Sequence, residues 1–168
     1  MKTKVKNSSN EPNIEIGIKA NHRAAVVKML GQLLADETVL YIKLRNYHWN
    51  VEGIHFQQLH ALFQEQYTVL EEQIDDVAER IRSLGHYSPG SMAAFRELSR
   101  LKESDNLGGD GVLMLQNILA DHEMIIQVLR HDLEAAMEEY KDAGTSDFLT
   151  ALMEVHEKMA WMVRSHLR

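Results

Sequence analysis

Four long stretches of this chain repeat apolar side chains at three- and four-residue spacings, the pattern of helices with one buried stripe. The first runs from near Asn21, a good N-cap residue, to about Trp49, with Val26, Leu30, Leu33, Leu34, Tyr41, Leu44 and His48 in step. The second spans about Ile54 to Leu84 and carries Leu59, Leu62, Phe63, Leu70, Ile74, Val77, Ile81 and Leu84. Only the turn Asn50–His55 separates the two, so they form an antiparallel hairpin. Gly53 and Gly85 punctuate the second helix, the latter as the left-handed residue past its end. A third helix, from about Gly111 to Lys141, places Val112, Leu115, Leu119, Ile126, Leu129, Leu133 and Met137 in register. Gly144 ends it, and Thr145 or Ser146 caps a fourth helix with Phe148, Leu152, Val155, Met159 and Val163 on one face.

Between Gly85 and Gly111 the pattern breaks into HYSPGS, a short helical segment around Met92 to Leu101, and KESDNLGGDG. A connection of some 26 residues is long for a compact domain, and long enough to recross the bundle. The second and third helices then run parallel, which is a four-helix bundle with a single long crossover. The fold is all-α, with one domain over 21–168 and an arm over 1–20 that sets Lys2, Lys4, Lys6 and Lys19 among Asn and Ser. That arm reads either as a solvated tail or as a phosphate-contacting arm for DNA.

Composition narrows the chemistry. With 168 residues, no cysteine and two prolines, disulfides, thiolate metal sites and cysteine nucleophiles are excluded. The net charge of −7 argues against a surface built for nucleic acid outside the arm. No apolar run approaches the roughly 20 residues that span a bilayer, and no signal-peptide pattern opens the chain, so a cytoplasmic protein without a membrane partner is expected. Glycine-rich phosphate loops and GxSxG elbows are missing. The pairs His122-Glu123 and His156-Glu157 lack the second histidine of a zinc-protease helix. The nine methionines read as core filling.

What remains lies between 47 and 85. His48 and His60 flank the hairpin turn, and Asp75 and Glu79, four residues apart, point from one helical face. His60 and Asp75 are 15 residues apart, about 22 Å along one helix, so one ion with bonds of about 2 Å cannot join them within a chain. A second copy lying antiparallel across a two-fold axis brings His60 of one subunit beside Asp75 and Glu79 of the other, twice per dimer. Glu-x-x-His, which builds a di-iron centre inside a single bundle, occurs only as Glu52–His55 across the turn, so an iron site inside one subunit is not expected. Imidazole with carboxylates suits ferrous iron, while a solvated acidic face and ordinary histidines are the other reading of these residues; spacing leaves both open.

The runs YHWNVEGIHFQQLHALF, IDDVAERIRSLG, LADHEMIIQVLR and GTSDFLTALMEVHEKMAWMVR resemble the Dps family, the DNA-binding proteins from starved cells or mini-ferritins, over roughly residues 21–167. The resemblance implies a ferritin-like four-helix bundle with a short helix in the crossover, assembled as a homo-dodecamer of two-fold dimers. It implies Fe(II) oxidation between subunits, with hydrogen peroxide or oxygen, and storage of ferric mineral inside the shell against oxidative stress. By position, His48 and His60 come from one subunit, Asp75 and Glu79 from its partner, and Trp49 lies beside the centre. The residue four after the second histidine is usually acidic in that family; here it is Gln64, whose amide ligates without charge, so one metal position is weakened and zinc becomes a competitor. Asp142 and Asp147 match positions that line a three-fold pore in relatives. Two other functions stand beside ferroxidase activity: DNA coating through the arm, with a nucleoid location, and a zinc-binding shell with little turnover.

Overall fold

The computed structural model describes residues 14–103 and 107–168. They form five helices: α1 (Ala20–Asn50), α2 (Phe56–Ser83), α3 (Met92–Leu98), α4 (Gly111–Glu138) and α5 (Ala143–His166). The expected all-α bundle with a short helix in its crossover is what the chain adopts. Lys2, Lys4 and Lys6 of the arm lie outside the described residues.

Helix ends differ from expectation in small, explicable ways. α1 starts ahead of Asn21, at Ala20, with no side-chain cap from Lys19. α4 is capped by Asp110, whose carboxylate accepts from the Val112 and Leu113 amides at 2.9 and 3.1 Å. It stops at Glu138, and Lys141 takes the left-handed conformation (φ 56°) in the reversal, so Gly144 is not the terminator but sits in the first turn of α5. Asp142 caps α5, in place of Thr145 or Ser146, by accepting from the Thr145 amide at 2.9 Å.

α1 packs along α2 and α4 along α5, giving two hairpins. Their relative direction is fixed by contacts at both ends. The Glu52 amide donates to the Gly109 carbonyl at 3.0 Å, which sets the start of α4 beside the start of α2. Gly109 has φ +80°, and a Cβ there would lie 2.9 Å from Glu52 Cβ, so only glycine allows this approach. At the other end, Arg80 near the end of α2 donates to Asp142 and Thr145 at the start of α5, at 2.9 and 3.0 Å. α2 and α4 therefore run the same way, as a full-length crossover requires.

The crossover is pinned midway. The fully buried Asp36 of α1 accepts from Ser99 Oγ (2.9 Å), the Arg100 amide (2.6 Å) and Arg100 Nε (2.7 Å), and pairs with Arg100 Nη2 at 2.6 Å. A buried carboxylate saturated in this way sets the position of the segment after α3.

The stripes of α1 and α2 are those expected, with Leu30, Leu44, Phe63, Leu70 and Ile81 sealed in the core. α4 follows its expected stripe in part: Leu115 and Leu129 are buried, and Leu119, Ile126 and Leu133 pack against the core. Val112 and Met137 are exposed in the single chain, and the buried face runs through Met114, Ile118, His122, Ile125 and Leu129. A histidine stands at the centre of that face, so a stripe drawn through apolar residues alone steps around it. α4 is also long and apolar enough to cross a membrane by length and composition, with a window of mean hydropathy 1.2. Here its apolar side packs on α5 and α1.

Replacing Asp36 with alanine strands the Arg100 guanidinium, the Arg100 amide and the Ser99 hydroxyl. Because Arg100 is partly exposed, the cost falls at the lower end for a broken buried pair, about 3 kcal/mol per subunit, read as a lowered urea midpoint.

Candidate metal centre

The turn between α1 and α2 places two histidines face to face. The rings of His48, in the last turn of α1, and His60, in the second turn of α2, stack with centroids 3.7 Å apart at 21°. His48 Nδ1–H donates to the His60 carbonyl oxygen at 2.8 Å, and His60 Nδ1–H donates to the His48 carbonyl oxygen at 2.8 Å. A carbonyl oxygen can only accept, so both rings hold hydrogen on Nδ1, and in their neutral forms both Nε2 atoms present a lone pair. Neither Nε2 has a hydrogen-bond partner among the described residues. Backbone acceptors that fix the tautomer and orientation of an imidazole are the usual outer support of a metal-binding histidine.

Aromatic groups wall the pair. Tyr67 stands edge-on to His48 at 5.4 Å, and Phe56 lies 5.1 Å from His60. Arg45 sits 4.8 Å over Tyr67 and 5.4 Å over Trp49, which is largely exposed. Sequence reasoning passed over Tyr67, Phe56 and Arg45. Tyr67 follows His60 by seven residues and Arg45 precedes His48 by three, so helical spacing carried the signal.

Gln64, one turn after His60, is exposed, and so are Asp75 and Glu79 farther along α2. The structure brings His48 and His60 together and leaves Asp75 and Glu79 apart from them: among the described residues of one chain, no three His, Asp or Glu side chains gather closely enough to hold a metal ion. The remaining two candidates separate. Asp147 is exposed, but Asp142 is 2% exposed, with its carboxylate taken by Arg80 and by the amide and hydroxyl of Thr145. Within the chain Asp142 serves as the cap of α5, and a three-fold pore is a feature of assembled subunits.

Known proteins agree with this architecture. The pattern defining the ferritin-like domain matches residues 27–168. A low temperature-induced protein of Nostoc sp., itself uncharacterised, is 44% identical over 93% of this chain and 87% of its own length. "DNA protection during starvation protein 2" of Bacillus anthracis is 37% identical over 84% of this chain and 96% of its own. Among solved structures, the Dps protein of Vibrio cholerae superposes with a TM-score of 0.88 at 32% identity, covering 96% of this chain and 99% of that one. It is described as a member of a superfamily of ferritin-like diiron-carboxylate proteins. DpsC of Streptomyces coelicolor gives 0.89 at 29% identity, covering 94% and 91%. With the single-crossover bundle, the hairpin histidines and this breadth of likeness together, the chain belongs to the Dps family of ferritin-like proteins.

Proposed function

We propose that this protein is a cytoplasmic ferroxidase and iron store, assembled as a dodecameric shell whose oxidation sites are completed between two-fold-related subunits. The observation that carries this reading is the reciprocal clasp of His48 and His60, which leaves two Nε2 lone pairs with no hydrogen-bond partner among the described residues. Asp75 and Glu79, exposed on α2, are the carboxylates a partner subunit supplies. Exposed apolar side chains such as Ile54, Val112 and Trp161 suit further subunit contacts.

In this reading Fe(II) is a substrate held by nitrogen from one subunit and oxygen from the other. The histidines orient it and the carboxylates stabilise the rising charge as it becomes Fe(III). Hydrogen peroxide is the preferred oxidant: each peroxide takes one electron from each of two ferrous ions and, with two protons, leaves as water, so no hydroxyl radical is released. Gln64 contributes an amide oxygen without charge, which weakens one metal position and admits zinc as a competitor. Asp147, repeated around a three-fold axis, attracts cations toward the interior.

The test is anaerobic Fe(II) loading followed by peroxide or oxygen, with the ferric absorbance followed in time. Wild type oxidises iron well above the buffer rate, and His60→Ala loses the enhancement; oxidation no faster than buffer in wild type rejects the ferroxidase and leaves the zinc-binding shell. Gln64→Glu raises zinc and cobalt affinity by at least about tenfold in titration calorimetry, the size already carried by one outer partner of a metal site.

A second reading, DNA coating, is favoured by relatives named for DNA protection and by the lysines of the first 20 residues. Twelve arms give avidity that a single arm lacks. Retardation of DNA at low salt, abolished by deleting residues 1–20 and by raising salt, is its expected outcome.

A further inference from the structure

Four polar side chains, one from each long helix, meet inside the bundle away from the histidine pair. Glu37 of α1, His122 of α4 and His156 of α5 are fully buried, and Gln66 of α2 is 3% exposed. They bond in series. Glu37 Oε1 lies 2.7 Å from His156 Nε2, His156 Nδ1 lies 2.9 Å from His122 Nδ1, and His122 Nε2 lies 3.3 Å from Gln66 Oε1. Gln66 Nε2 donates onward to the Met159 carbonyl at 3.3 Å. Three of these links, Glu37–His156, His122–Gln66 and Gln66–Met159, cross from the α1–α2 hairpin to the α4–α5 hairpin.

The bonds fix a hydrogen count. Because the Gln66 amide donates to Met159, its Oε1 must accept, and His122 Nε2 carries hydrogen. Glu37 and His156 share a second. Two bare Nδ1 atoms would repel at 2.9 Å, so a third lies between the rings. Three hydrogens on one carboxyl and two imidazoles make the set neutral overall, the condition a sealed core tolerates. A fourth leaves a positive charge wherever it goes. On His122 it sets two N–H groups against each other. On Glu37 Oε2, which is buried and has no hydrogen-bond partner among the described residues, it removes the counter-ion of the imidazolium. A cation is not what the set accommodates, since its donors run in a line and do not surround a point.

We propose that the Glu37–His156–His122–Gln66 chain is an acid-released latch between the two helix hairpins, closed while it carries three hydrogens and sprung by a fourth. Burial, and next the charge of His156, hold the His122 ring well below its usual range. The unfolded ring takes a proton near pH 6.5 and the folded one does not, so this stability is present above that pH and is lost as pH falls below it. The groups facing His122 are Glu37 on α1, Gln66 on α2 and His156 on α5; Gln66 does not titrate. Beside His122 in sequence, Asp121 pairs with Lys43 of α1 at 2.5 Å. Burial pushes the Asp121 carboxyl up, Lys43 works against this, and the charge of Asp36 adds to it. A raised carboxyl gains stability as pH falls, the opposite sign.

The experiment is urea unfolding of the assembled full-length protein from pH 7.5 to 5.5, wild type beside His122→Gln. Glutamine keeps an acceptor toward His156 and a donor toward Gln66 but has no ring to protonate, and Asp121 is common to both proteins. The wild-type folding constant per subunit, divided by that of the variant, falls about tenfold over this range. A ratio that stays flat overturns the latch. Neutron diffraction of the wild-type protein at pH 7 tests the same count even if the variant does not fold. Three deuterons along the chain, with one between the two Nδ1 atoms, support the proposal; two, four, or a metal ion between the rings overturn it.

Discussion

Two histidines that each donate to the other's main chain close the first hairpin, and much of the molecule follows from that exchange. The clasp joins side chain to backbone in both directions, so neither ring can turn without breaking a bond that also sets the register of α1 against α2. The nearby bridge from Glu52 to Gly109 then ties the same turn to the start of α4, so the crossover ends where the histidines are held. Ring orientation, hairpin register and bundle direction are thus parts of one constraint.

Much of this was legible in the sequence. The stripes of α1 and α2 are apolar enough to specify helices, and the interval from His60 to Asp75 already excluded one ion joining them within a chain. What escaped notice had a common cause. Glu37, Gln66, His122 and His156 all fall at buried stripe positions, and a periodicity read from apolar residues treats them as gaps. The stripe of α4 was drawn without His122 for that reason, and the polar chain inside the bundle went unseen. The start of α5 was missed because Asp142 caps it three residues ahead of the expected Thr145, whereas α4 starts at Gly111 as expected, with Asp110 as its cap. The clasp itself was not readable, because it depends on carbonyl positions that only the folded turn supplies.

The interior contains two kinds of polar contact with different work. Asp36 with Arg100 and Ser99 holds the crossover to α1, and Asp142 with Arg80 and Thr145 joins the end of α2 to the start of α5. Each is a carboxylate saturated by donors from a distant part of the chain, so each specifies which segments meet. The Glu37-to-Gln66 chain lies deeper and links all four helices. An all-leucine centre would pack there with less penalty, yet would allow the hairpins to slide; directional bonds fix one alignment.

The histidines are committed to the fold, whereas Gln64, Asp75 and Glu79 stand exposed on α2 with no comparable structural duty. This division separates what must stay from what is free to vary. Substitutions on that outer face can change its charge while the hairpin folds as before, so the scaffold fixes the histidines and leaves the neighbouring surface open to change.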